Sequence, residues 1–190
     1  ACNHSITHNS TSSNIQTFKL TCVISLVSIM RIGIVSDTHN NLENCRQIVD
    51  LFNEARVESV IHTGDITQSK TIDVFSELQM PMVGVFGNND VERESLNVAM
   101  DRHGFSFIDP PLTLEWFSRR LVVVHDPLQL QELDTAEYDV VIHGHTHRQI
   151  IEYRGEKLTF NPGECAGIMK GFNAIGILDL NDLSPQILTF

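Results

Sequence analysis

Apolar residues recur along this chain in two alternating rhythms. Short continuous runs of four or five are followed by stretches whose apolar positions lie three and four apart. Arg31–Val35 is the first such run and reads as a buried parallel strand. Leu42, Cys45, Val49 and Phe52 follow at helical spacing, with Asn40 and Asn41 as candidate N-caps. Ser59–His62 is a second strand. Ile72, Phe75 and Leu78 mark a short helix that Pro81 closes off. Residues 82–86 form a third strand, and 92–102 a helix with Gly104 just beyond it. The second half is richer in strands. Leu112–Trp116 and 121–125 are joined by a tight turn, and 139–142 is another strand. Residues 150–153 and 157–160 flank Arg154-Gly155-Glu156 as a hairpin, and 174–180 and 186–190 supply the last strands. No internal repeat or interdomain linker interrupts the order. Two sheets packed face to face with helices outside, an α/β architecture, is its natural packing.

Bulk properties narrow the function. With 190 residues the chain is long enough for one domain with a real core, expected over 30–190. The formal net charge of -11 argues against a strong nucleic-acid surface, because nothing supplies the basic face that counterion release requires. Residues 1–29 contain no acidic residue and one basic one, Lys19, so 30–190 carries -12 (-11 minus +1). The apolar stretch 20–30 is too short to span a bilayer. Lys19 ahead of that stretch resembles a signal peptide, but no A-x-A cleavage site follows. The expectation is therefore a disordered or non-native extension ahead of a start at Met30. With it go a cytoplasmic location, secretion being the alternative, and no membrane partner. Of the four cysteines none forms a CxxC pair, and Cys45 falls on the apolar stripe of a helix, where a core role is expected. His4 and His8 lie in the extension and are not expected to bind metal.

Chemistry concentrates at the strand ends. Asp37-Thr38-His39, Gly64-Asp65, Gly87-Asn88-Asn89-Asp90, His125 and Gly144-His145-Thr146-His147 each stand just past a predicted strand. Each fragment alone has a plain reading. Gly-Asp and Gly-Asn are turn dipeptides, and a lone histidine at a strand end is more often a core or surface residue. Together they form a mixed oxygen and nitrogen donor set of seven side chains, better suited to two adjacent divalent cations than to one structural zinc. In α/β sheets, sites form outside the carboxyl ends of the strands. In extended backbone, the i, i+2 spacing of Asp37 with His39, and of His145 with His147, would put each pair on one face. Asp65 is the natural bridge, and Asn88 offers a neutral oxygen. His62 is either a partner behind the site or a core histidine. His143 faces either away from the cluster or beside it, and His103 is expected to be exposed near a helix end. Asp90 is expected to brace the Asn88 loop.

The order D-x-H, G-D, G-N-x-D, lone His and G-H-x-H resembles the signature of the calcineurin-like metallophosphoesterase superfamily. The run 30–39 and Asn161-Pro162-Gly163 resemble its YfcE-like phosphodiesterase branch. The resemblance covers about 30–190. It implies a four-layer αββα sandwich of two mixed β-sheets flanked by helices. It also implies two divalent metal ions, manganese foremost, with iron, zinc, nickel and magnesium as alternatives. One ion would be held by Asp37, His39, Asp65 and His147, the other by Asp65, Asn88, His125 and His145. Asp65, Asn88 and His125 would then be catalytic, with a metal-bridging hydroxide as nucleophile on a small phosphate ester.

Two positions depart from the family pattern. Asn89 stands where many members carry a histidine thought to act on the leaving group. Asn88 and Asn89 remain the expected substrate contacts, with slower turnover and a bias toward acidic leaving groups. Asp126 stands where a glycine usually follows the lone histidine. It is expected beside the first ring of ligands with Asp90, or simply in a turn before Pro127. The competing function is a protein-binding scaffold on the same fold, resembling the retromer subunit. Pairing of exposed strands of the second sheet would give a homo-oligomer.

Overall fold

The computed structural model describes residues 30–168 and 170–190. The expected extension, with Cys2, Cys22, His4 and His8, lies outside the described residues.

Two mixed sheets face each other. The first is built from β1 (Arg31–Val35), β2 (Ser59–His62), β3 (Met82–Val85), β4 (Ser106–Ile108), β10 (Ala174–Asp179) and β11 (Ser184–Thr189), in the order β11-β10-β1-β2-β3-β4. β1 to β4 run parallel, while β10 and β11 return antiparallel. The second sheet orders β5 (Leu112–Trp116), β6 (Arg119–Val123), β7 (Val140–Ile142), β9 (Lys157–Asn161) and β8 (Ile150–Arg154), with β6, β7 and β9 parallel. The expected α/β sandwich is therefore present. Its helical layers are unequal. α1 (Leu42–Ala55), α2 (Ser69–Phe75) and α3 (Arg93–His103) cover the first sheet, whereas two 3₁₀ segments, Pro127–Glu132 and Thr135–Glu137, stand against the second.

The sequence explains these layers. α1 buries Cys45, Ile48, Val49 and Phe52 along one stripe, and the Asn41 side chain accepts the Asn44 N–H at 3.2 Å as its N-cap. These residues join Ile72, Phe75, Leu96 and Met100 in a core between the helices and the first sheet. A second core between the sheets gathers Ile32, Ile34, Ile61, Val85, Leu121, Val123, Val140, Ile142 and Phe160. Residues on β1, β2 and β3 thus feed both cores, which is why those strands read as continuous apolar runs. Strand β4 and the 3₁₀ segments were not expected. β4 has three residues of which only the middle one is buried, too short to show a period. α2 ends at Phe75 and does not reach Leu78.

Register sets the height of the strand ends. Val35 lies opposite His62, and His62 opposite Gly84, while Val123 lies opposite Ile142, and Ile142 opposite Phe160. Six parallel strands, three from each sheet, therefore end level at one rim. The loops leaving five of them, all but β9, carry the donor clusters.

Candidate metal centre

All seven candidate ligands meet at this rim. On one side, the His147 Nε2 and His39 Nε2 atoms lie 3.4 and 3.9 Å from Asp37 Oδ1. On the other, the His125 Nε2 atom lies 2.8 Å from Asn88 Oδ1 and 3.1 Å from His145 Nδ1. Asp65 stands between them, with its Oδ2 atom 3.4 Å from His39 Nε2 and 3.5 Å from His125 Nε2. Two overlapping donor groups result, Asp37 with His39 and His147, and Asp37 with Asp65 and His125.

The backbone that delivers these ligands is not the extended one expected from the i, i+2 spacing. Asp37, His39, Asp65, His145 and His147 all have positive φ, between 39° and 64°. The paired side chains converge because successive loop residues enter the left-handed region. Asp and His tolerate that region better than most side chains, and such strain clusters at functional sites.

Two features show that the donors fit a cation. Asp37 Oδ1 and His39 Nε2 are buried polar atoms without a hydrogen-bond partner. Leaving such atoms bare is costly unless an ion completes them. At His125, the Nδ1–H donates to the Thr63 carbonyl at 2.9 Å, which fixes the tautomer and turns Nε2 inward. That nitrogen then faces the oxygens of Asn88 and Asp65, an arrangement of acceptors that suits a cation or a proton.

Charge and hydrogen bonding keep the acids ionised. Burial would raise the Asp37 pKa, but the neighbouring His147 ring and the Ser36 hydrogen bond outweigh it and hold the carboxyl below its usual range. Burial likewise opposes ionisation of Asp65, and His125 and the Asn89 N–H groups overcome it. Burial alone would lower the His125 pKa, but the Asp65 carboxylate raises it, and Asp37 raises that of His147.

Several residues outside the ligand set support it. Thr63 Oγ1 donates to Ser36 Oγ at 2.6 Å, and Ser36 Oγ donates in turn to Asp37 Oδ2. Asn161 Nδ2 donates to the Gly144 carbonyl and to Thr146 Oγ1, both at 3.1 Å, tying down the loop that bears His145 and His147. His62 is fully buried. Its Nδ1 accepts the Gly64 N–H at 3.1 Å, and its Nε2 lies 3.3 Å from Thr38 Oγ1. It is a core histidine that also holds two ligand loops.

Asp90 accepts the N–H groups of Asp65, Thr67 and Gly87 at 3.0, 2.6 and 2.7 Å, bracing two loops rather than one. Asn89 is tethered. Its backbone N–H and Nδ2 donate to the two oxygens of Asp65, at 2.9 and 2.7 Å. Asp126 caps the 3₁₀ segment, accepting the Leu128 N–H at 2.8 Å, with its other oxygen 3.7 Å from His145 Nε2. His143 is buried beside the Gly144 carbonyl and lines a separate cleft with Val141 and Thr159. His103 pairs with Asp73 at 2.8 Å.

An α/β sandwich with an acid-and-histidine cluster at its rim fits a metal-dependent hydrolase. A family model, the calcineurin-like phosphoesterase superfamily domain, matches residues 30–183, and the chain belongs to that family. It is thereby a metallophosphoesterase, a hydrolase of phosphoric ester bonds. It is 38% identical over 154 residues to phosphodiesterase MJ0936 of Methanocaldococcus jannaschii, spanning 79% of this chain and 93% of the relative. It is 27% identical over 180 residues to phosphodiesterase YfcE of Escherichia coli, spanning 82% and 91%. A solved archaeal phosphodiesterase superposes with a TM-score of 0.78 at 36% identity, over 85% of this chain and all of that one. Vps29 of Entamoeba histolytica shares the fold, with a TM-score of 0.61 at 18% identity over 85% and 99%. Among the described residues no helix is long and apolar enough to cross a membrane.

Proposed function

We propose that this chain is a dinuclear metal-dependent phosphodiesterase acting on a small phosphate ester. The observation that carries the reading is the convergence of seven candidate ligands at one rim, two of whose donor atoms, Asp37 Oδ1 and His39 Nε2, are buried without a hydrogen-bond partner. Asp37, His39, Asp65 and His147 would hold one ion, and Asp65, Asn88, His125 and His145 the other. Divalent ions there, manganese foremost, would activate water and offset charge on the phosphoryl oxygens. The protein's share is positioning. Asp65 spans both groups, and the two Asn89 bonds orient its carboxylate. Asn88 adds an oxygen without adding negative charge. Relatives of 38% and 27% identity that are named phosphodiesterases support the diester preference.

The test is hydrolysis of bis-p-nitrophenyl phosphate by chelator-stripped protein with and without manganese, beside Asp65→Asn. Manganese-dependent turnover, two ions per chain and loss of most activity in the variant are expected. Near-native activity of Asp65→Asn with two bound ions would exclude the bridging role. An inactive protein with both ions bound would move the chain toward the scaffold function, for which the shared Vps29 fold leaves room.

A further inference from the structure

A cleft of about 440 Å³ leaves the metal centre between Asn88, His125 and His145 and ends on Phe86, Arg93 and Pro110. Nothing in the metal chemistry uses its far end. We infer that this end takes one ester substituent of the substrate as an uncharged planar ring stacked on the Arg93 guanidinium. The inference rests on the phosphodiesterase reading and specifies the substrate class of that same site.

Arg93 is the first residue of α3, four positions after Asn89. Its Cζ atom lies 3.8 Å from the centre of the Phe86 ring, and its Nη2 donates to Asp109 Oδ1 at 3.0 Å. The Phe86 ring orients the plane of the guanidinium, and the exposed Asp109 carboxylate meets its edge, an arrangement that suits stacking better than free reach toward an anion. The volume falls in the range that small-molecule substituents fill. Charge decides between ligand classes. Arg93 is already paired by Asp109, and Asp126 adds a second carboxylate to the same wall. A second anionic group on the substrate would face the Asp109 and Asp126 carboxylates there, whereas a neutral ring would meet Pro110 and a guanidinium stacked on Phe86. Planar rings stack on arginine planes without needing a particular hydrogen-bond pattern.

The test compares two diesters that share a leaving group. Methyl p-nitrophenyl phosphate and phenyl p-nitrophenyl phosphate both release p-nitrophenolate, so the ratio of their kcat/KM values reads the retained substituent. With the manganese-loaded full chain, Arg93→Ala should lower the phenyl-to-methyl ratio about tenfold, mainly through KM. Arg93→Lys keeps the charge, loses the plane and should not restore the ratio. A ratio unmoved by Arg93→Ala, or restored by lysine, overturns the inference and leaves the phosphodiesterase reading standing. Wild-type protein that hydrolyses neither ester overturns both.

Discussion

His62 offers a test of how the ligand loops are held, because its ionisation is tied to the fold. Its ring is fully buried between Phe75 and Phe107, with ring centres 5.8 Å away on both sides. Its Nδ1 accepts the Gly64 N–H, so the proton sits on Nε2 and points to Thr38. A second proton on Nδ1 would face that N–H and break the turn carrying Asp65. Burial, opposed by the charges of Asp37 and Asp65, pulls the pKa down to about 3. The folded state therefore excludes a proton that the unfolded chain binds near pH 6.5. The stability contributed by neutral His62 is complete above that value and is lost as pH falls toward 3. Each unit of pH costs ~1.4 kcal/mol, so about 2 kcal/mol should disappear between pH 6.5 and 5. The assay is urea unfolding of chelator-stripped protein across pH 5 to 7.5, beside His62→Gln. Subtracting the two profiles removes the contributions of His125 and His147, which titrate in the same window with the opposite sign. The difference should slope over the acid half and flatten above pH 7. Parallel profiles would refute the buried, neutral assignment.

Gly144→Ala should injure the site from behind. The new Cβ would stand 2.6 Å from Thr63 Oγ1 and 2.9 Å from Asp37 Oδ2, and would collide with Ser36 Oγ. Overpacking of this kind costs about 1–3 kcal/mol, and displacing Asp37 should also weaken manganese binding, read by titration against a competing chelator; native values of both would refute the close approach. Asn89→His should raise turnover of monoesters with poor leaving groups relative to p-nitrophenyl esters. An unaltered dependence on leaving-group pKa would remove asparagine as the cause of that bias.

The strands and the order of the donor clusters were legible because each strand is a compact apolar run and each cluster follows one directly. What escaped has physical reasons. β4 is a three-residue edge strand, and the 3₁₀ segments bury no residue, so neither leaves a period. The donors were identifiable by residue type, but the left-handed backbone at Asp37 and His145 was not, since the extended alternative predicts the same convergence. Ser36, Thr63 and Asn161 act through side-chain bonds to loops distant in sequence, and although Asn161 belongs to a quoted motif, such bonds leave no local pattern. The two departures from the family pattern changed meaning once contacts were known. Asn89 holds Asp65, and Asp126 caps a helical turn while facing His145.

Backbone strain bears on whether the chain is an enzyme or a scaffold. A left-handed non-glycine residue costs of order 1 kcal/mol at its mildest, and five of the seven candidate ligands adopt that conformation. Together they withhold about 5 kcal/mol, comparable to the whole stability of a small domain. Two bare buried atoms at the same place add to that sum. Cations held there would complete the bare atoms and offset the strain in one step, and the proposed hydrolysis is a chemistry that uses cations held this way. Likeness to Vps29 at 18% identity speaks to the fold alone. Geometry at the strand ends therefore favours catalysis.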